Sequence, residues 1–196
     1  MKRLLLSALL LASLAIPASA ETLQCMFPTT PTTVGTATIS TDNYNIGLIG
    51  LEISVSCSTS TVAYYVVTPD SSSKTYDLGL YCVSGTCTPG QLYVHTGALS
   101  GSTFTPPGSA STIVTQSWTG QTPVTLPAGV YAVGVGTDCS GANCAQIGAD
   151  EGGGAILPFF VASGDGTYSA GLPASVTPPQ INPVADASNM PSLLIY

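Results

Sequence analysis

Acidic residues in predicted loops are the side chains of this sequence that could do chemistry. Asp138, Asp150, Glu151 and Asp165 all lie in predicted loops in the C-terminal half of the chain. Paired carboxylates can act as acid and base in glycoside hydrolysis, and carboxylates with loop carbonyls can bind Ca²⁺. Asp150 and Glu151 are adjacent, so on a strand they would point to opposite faces. We expect these acids to be solvated rather than catalytic, and Ca²⁺ is the one cofactor that the pattern admits.

His95 is the only histidine, so any serine-histidine-aspartate catalysis would depend on it. The segment Gly97-Ala-Leu-Ser-Gly101 places its serine one position too late for a G-x-S-x-G nucleophile turn. Zinc-protease, P-loop and EF-hand patterns are absent from the sequence. We therefore expect His95 to be an exposed or hydrogen-bonded residue at a strand end, and we predict a protein that is not an enzyme.

Aromatic residues offer a second kind of site. Tyrosines on a sheet face could stack against sugars. Tyr81 and Tyr93 alternate with the apolar residues Leu80 and Leu92, which predicts that both tyrosines face outward. Trp118 is expected to fill the core instead. A glycan-binding module, assisted by Ca²⁺, is therefore the alternative function, with the four loop acids and these two tyrosines as candidate ligand-binding residues.

The charge of the chain excludes several classes of partner. It has 3 Lys and Arg residues against 10 Asp and Glu, and two of the cations are Lys2 and Arg3. A nucleic-acid binder needs cations to neutralise phosphates, and attraction to an anionic membrane surface needs them too. We expect a protein or glycan partner, with no nucleic acid and no membrane insertion.

The first twenty residues have the three parts of a secretory signal peptide. Lys2 and Arg3 precede an apolar run from Leu4 to Ile16, and small residues precede a cleavage site before Glu21. The apolar run is shorter than the ~20 residues that span a bilayer. The sequence therefore predicts export to the periplasm, the cell surface or the medium.

Six cysteines agree with an oxidising compartment. Two pairs have C-x4-C spacing around a turn, so each could close a hairpin tip, and the remaining two can pair with each other. We predict the disulfides Cys25–Cys57, Cys82–Cys87 and Cys139–Cys144. A zinc site built from the two C-x4-C pairs is the alternative.

Period-two alternation dominates the rest of the chain. Ile49 to Cys57, Leu78 to Cys82 and Tyr131 to Val135 each place apolar residues on one face, and turn residues separate such runs. No amphipathic helix is found. About nine or ten short strands predict an all-β fold, a single β-sandwich or jelly roll. Residues 21–196 would form this one domain, with Pro-rich end segments.

Three segments carry a family resemblance: Tyr76-Asp-Leu-Gly-Leu-Tyr81, the run from Gln91 to Gly101, and Thr125-Leu-Pro-Ala-Gly-Val-Tyr131. With the C-terminal residues they resemble β-sandwich modules of phage virion and tail-associated proteins and of secreted bacterial proteins, over about residues 60–196. The resemblance implies a rigid sandwich used for attachment or assembly, and it carries over no catalytic residues. We therefore expect a structural or attachment role outside the cell, with a glycan-binding module as the alternative and a glycoside hydrolase behind it.

Overall fold

The computed structural model describes residues 25, 34–38, 44–71, 74–120, 123–139, 143–150, 160–161, 171–176, 180–181, 190–191 and 193–195. The predicted signal peptide lies outside these residues. The elements are β1 (Val34–Thr38), β2 (Tyr44–Ile53), β3 (Cys57–Thr59), β4 (Thr61–Thr68), β5 (Thr75–Gly85), β6 (Leu92–His95), β7 (Leu99–Ser100), α1 (Gly101–Phe104), β8 (Thr112–Ser117), β9 (Val124–Leu126), β10 (Gly129–Thr137), β11 (Gln146–Asp150), β12 (Phe160–Val161), β13 (Gln180–Ile181), β14 (Met190–Pro191) and β15 (Leu193–Ile195).

The all-β prediction is confirmed, and the strands form two larger sheets and two short ladders. The six-stranded sheet has the order β1-β11-β4-β15, with β14 also beside β11 and β8 also beside β4. The five-stranded sheet has the order β2-β10-β5-β6, with β7 also beside β5. In the part of the chain that the structure describes, no helix has the length and apolar character needed to span a membrane.

One hydrophobic core joins the two larger sheets. Leu80 and Tyr131 come from the five-stranded sheet, whereas Tyr64 and Ile147 come from the six-stranded one, and all four side chains are buried. Burial of an apolar side chain of this size contributes about 1.5–3 kcal/mol. The alternation of the sequence thus sets which face of β5 and β10 enters the core.

A single helical turn closes the side of this core. Its last residue, Phe104, stacks between Tyr64 and Tyr76, with ring centroids 4.7 and 4.9 Å away. The Tyr64 hydroxyl also donates to the Phe104 carbonyl over 2.5 Å. Ser100 caps the turn at its N-terminus, which supplies an acceptor that a helix start lacks.

Trp118 lies in the core, as predicted, with 3% of its surface exposed. Its indole N–H donates to Thr59 Oγ1 over 2.9 Å. A buried indole needs such a partner, because an unpaired buried N–H would cost about 1–3 kcal/mol.

The three predicted disulfides are confirmed. Cys25–Cys57, Cys82–Cys87 and Cys139–Cys144 are bonded, and all six half-cystines are buried. No cysteine remains for the zinc-site alternative, which is therefore wrong. Three disulfides indicate an oxidising, extracellular type of environment.

The predicted strand from Ile49 to Cys57 is two strands in the structure. The chain leaves the five-stranded sheet after Ile53, bends through three residues, and enters β3, which pairs with β9. Val55, expected on the buried face, is therefore 60% exposed. Cys57 is buried as expected, but it belongs to β3 and not to the strand that contains Ile49.

Candidate functional site

A buried carboxylate lies on the face of β5 that points away from the core. Leu78 and Leu80 point into the core, so alternation turns Asp77 to the opposite face of the sheet. The Asp77 residue has no exposed surface. A charged group in this position is costly unless it is hydrogen-bonded and paired, so its partners define the site.

Two elements donate hydrogen bonds to one oxygen of Asp77. His95, the last residue of β6, approaches Asp77 Oδ2 with Nδ1 at 2.9 Å. The backbone N–H of Leu172 donates to the same oxygen over 2.9 Å. Thr96 Oγ1 donates to Oδ1 over 3.2 Å. The carboxylate therefore joins a strand, the loop after it and a distant segment of the chain.

His95 is the exposed end of this pair. Its side chain keeps 34% of its surface exposed, whereas that of Asp77 has none exposed. The hydrogen bond to Asp77 raises the pKa of His95, burial lowers it, and the negative charge of Asp77 raises it again, with a net increase. Nδ1 is the atom of His95 that Asp77 orients. The prediction of a hydrogen-bonded histidine at a strand end is confirmed.

A break between two strands places the groups around Asp77. β6 ends at His95 and β7 begins at Leu99. Within this gap the Leu78 N–H donates to Thr96 Oγ1 over 3.0 Å. A side-chain hydroxyl therefore accepts the hydrogen bond that a main-chain carbonyl would accept in a regular ladder. Gly97 makes the turn at φ 74°, which glycine adopts without strain.

A segment of six described residues, 171–176, covers this face of the sheet, and we call it the strap. Leu172 packs closely over Gly79, where a Cβ would come within 2.9 Å of its Cδ1. The Leu92 N–H donates to the Ala174 carbonyl, and the Val176 N–H donates to the Gly90 carbonyl. The strap thus runs beside β6 and closes a second, smaller apolar cluster that contains Tyr81, Val83, Ala132 and Leu172.

Tyr81 lies beneath the strap, which corrects the expectation that it faces solvent. It points away from the main core as the alternation predicted, but the residue has no exposed surface. Its ring packs against Gly134, where a Cβ would meet Tyr81 Cε2 at 2.5 Å, and its hydroxyl donates to the Pro173 carbonyl over 2.7 Å. The ring is therefore a packing element and offers no stacking surface to a sugar.

Tyr93 faces the core side, which corrects its predicted orientation. A register shift opposite Leu80 and Tyr81 interrupts the alternation of β6. Tyr93 therefore packs edge-on against Tyr131, with centroids 5.6 Å apart, and stays half-buried. Its hydroxyl accepts from the Thr88 N–H over 2.9 Å. The outward face with both tyrosines, on which the glycan alternative depended, is not formed.

Asp138 is engaged in holding the start of β5. Its Oδ1 accepts from the Thr75 N–H over 2.6 Å and from Thr75 Oγ1 over 3.0 Å. Partial burial raises the pKa of Asp138, but these hydrogen bonds and the charge of Lys74 outweigh it, so the pKa is lowered. Asp150 ends β11, and nothing is described of its side chain; Glu151 and Asp165 lie outside the described residues. The proposed ligand-binding role of these acids stays a prediction.

A second candidate feature is the edge strand β8. It pairs with β4 over all six of its residues, and β4 is its one ladder partner among the described strands. The Trp118 N–H donates to the Ser60 carbonyl directly beyond β8. In an antiparallel ladder, the main-chain N–H and C=O groups of every second residue point toward the partner strand, and those of the residues between point away from it. Because Trp118 bonds toward β4, the main-chain groups of Ile113, Thr115 and Ser117 point away from β4.

The surroundings of β8 carry no formal charge in the sequence. No Asp, Glu, Lys or Arg occurs in 53–69, which contains β4, or in 78–137, which contains β8. Thr115 and Ser117 are exposed, and Ile113 is 60% exposed. The edge is therefore neutral, partly apolar and accessible.

Asp77 is not among the loop acids that the sequence singles out. The sequence feature that could have indicated this site is an acidic residue between Tyr76 and Leu78, within a strand of alternating apolar residues. An acid in that position is either exposed on a solvent face or buried with partners, and the sequence could not distinguish the two. The strap that buries it is 95 residues away along the chain.

No protein-family model matches this chain, and comparison with curated proteins and with solved structures finds no match either.

Proposed function

We propose that this protein is exported and works outside the cytoplasm as a single β-sandwich, in attachment or assembly, by adding a strand of a partner to the free edge of β8. One observation carries the proposal: β8 is a six-residue edge strand without charge, proline or an inward-pointing lysine. Exposed edges of this kind bind other strands readily, and proteins that must stay monomeric protect them. Strand addition supplies affinity through main-chain hydrogen bonds.

Compartment and stability support the same function. The N-terminal residues have the pattern of a signal peptide, and the three disulfides require oxidation. A framework closed by disulfides suits a protein that must keep its shape outside the cell. The acidic balance of the chain argues for partners other than nucleic acid or anionic lipid.

A photo-crosslinking experiment in the exporting cells tests the proposal. The photoreactive amino acid benzoylphenylalanine is placed at Ile113, and in a matched control at Val55, because both side chains are 60% exposed. We expect discrete adducts from position 113 and none from position 55. Adducts at twice the mass of the chain would identify a second copy as the partner, and other masses a different protein. A lack of adducts at 113, or equal adducts at both positions, would overturn the proposal.

A proline variant tests whether the main chain of β8 makes the contact. Thr115→Pro removes an N–H that points away from β4, so the ladder to β4 stays intact. We expect this variant to fold and to lose the adducts from position 113. Thr115→Val is the matched control, because it keeps the N–H and the shape, and it should keep the adducts. Retention of the adducts in Thr115→Pro would show that side chains alone make the contact.

A further inference from the structure

We propose that Asp77 and His95 form a pH-sensitive latch that holds the strap on the five-stranded sheet while His95 is protonated and loosens it when His95 loses its proton. The latch rests on one shared atom. Asp77 Oδ2 receives both the His95 Nδ1–H and the Leu172 N–H, each at 2.9 Å. The charge state of a half-exposed histidine is thereby linked to the position of a chain segment that is remote in sequence.

The direction of the switch follows from the burial of Asp77. A buried carboxylate is stabilised by a cationic partner, and removal of that positive charge leaves the negative charge uncompensated. Opening the strap lets water reach the carboxylate, so deprotonation of His95 favours the open form. Because the pKa of His95 is raised above 6.5, the latch is complete below that pH and is lost as the pH rises through the raised value.

The described elements around Asp77 and His95 contain no second histidine, since His95 is the only one in the chain. The strap, Gly171-Leu-Pro-Ala-Ser-Val176, contains no titratable side chain, and β10 places Gly136 opposite Asp77. Asp138 lies beside the start of β5, where its Oδ1 accepts from the Thr75 N–H. Lys74 is exposed and acts on Asp138. The hydroxyl of Tyr81 donates to the Pro173 carbonyl of the strap.

Opening would expose an apolar surface. The strap covers the cluster around Tyr81, Val83 and Ala132, and Leu172 and Val176 of the strap itself pack on it. A rise in pH would therefore uncover a hydrophobic patch on the five-stranded sheet, whereas β8 belongs to the six-stranded sheet. The latch is independent of the attachment edge.

Amide hydrogen exchange measures the latch directly. The reporters are the N–H groups of Leu92, Leu172 and Val176, which bond between strap and sheet, and the Trp118 N–H is the reference in the other sheet. Protection factors remove the intrinsic pH dependence of exchange. A hydrogen bond to a charged partner contributes more free energy than a neutral one, and the difference changes an opening equilibrium constant about fivefold. We expect the protection of the three reporters to fall about fivefold between pH 6 and pH 9, with no change at Trp118.

Two variants and one spectroscopic control complete the test. His95→Gln keeps a hydrogen-bond donor without titration, so protection should become independent of pH, whereas Lys74→Gln should keep the transition. Constant protection in the wild type, or a transition that persists in His95→Gln, would overturn the latch. In the wild type the His95 imidazole resonance and the Leu172 amide shift should titrate with one midpoint. Two different midpoints would overturn the latch even if a variant fails to fold.

Discussion

Removal of the Cys25–Cys57 disulfide should destabilise the protein more than removal of either short-range disulfide. In the chain-entropy model a disulfide stabilises by restricting the unfolded chain, and the effect grows with the loop that it closes. The sequence separation is 32 for Cys25–Cys57 and 5 for each of the other two. The relation gives about 3.7 kcal/mol for the long loop and about 2.2 kcal/mol for each short one.

The comparison isolates loop length because the other contributions are similar. All six half-cystines are 4% exposed or less, so each pair of Cys→Ala substitutions removes a similar amount of buried sulfur. The packing losses then largely cancel between the three double variants. A difference of about 1.5 kcal/mol between the long-loop variant and each short-loop variant should remain.

Urea unfolding of the three double alanine variants measures the difference. Trp118, the single tryptophan, is buried and reports unfolding by fluorescence. The free energies of unfolding are compared at equal pH, with the wild type alongside. If the Cys82/Cys87 or the Cys139/Cys144 variant lost as much stability as the Cys25/Cys57 variant, the entropic reasoning would fail, and local contacts of the hairpin tips would have to carry the effect.

Two further substitutions test the packing and the electrostatics of the five-stranded sheet. Gly134→Ala should lower the free energy of unfolding by about 1–3 kcal/mol in urea titrations. The reason is that the new Cβ would lie 2.5 Å from the ring of Tyr81, which must then shift. An unchanged free energy of unfolding would mean that the ring adjusts freely. Asp138→Asn should reduce stability at pH 7, because the pKa of Asp138 is lowered by Thr75 and Lys74 against the opposing effect of burial. This stabilisation is present above the unfolded pKa near 3.9 and is lost as the pH falls through the lower folded pKa. The thermal unfolding midpoints of wild type and variant should therefore converge in acid. A difference between the midpoints that stays constant down to pH 2 would show that the charge of Asp138 is not the source of the stabilisation.

Local patterns in the sequence were sufficient for the all-β class, for the buried faces of β5 and β10 and for the disulfides. The alternation of Leu78, Leu80 and Cys82 predicts their common buried face, and the alternation of Tyr131 and Val133 does the same. The C-x4-C spacing predicts two disulfides, and elimination predicts the third. These inferences depend on residues close in sequence, where backbone geometry limits what the side chains can do.

Features that depend on irregular strands or on distant segments were not predictable in this way. The alternation of β6 predicted an outward Tyr93, but a register shift of one residue turns the side chain to the core. Tyr81 was assigned to the correct face, yet the strap buries it from 92 residues away. Asp77 is likewise buried, and one of its hydrogen-bond partners is Leu172 of the strap, 95 residues away in sequence. A periodic pattern indicates which face a residue takes, but it does not indicate what later covers that face.

The distribution of charge favours β8 over other parts of the surface as the proposed attachment edge. The formal charge of the chain is −7, and like charges of this size keep copies and acidic partners apart. The described acids, Glu52, Asp70, Asp77, Asp138 and Asp150, all lie outside the stretch 78–137, which contains no Asp, Glu, Lys or Arg. A strand that approaches β8 therefore meets backbone donors, hydroxyls and Ile113, and no carboxylate of β8 or β4. The acids of the chain lie outside β8 and β4, so a strand that pairs at the proposed attachment edge meets no like charge on these two strands.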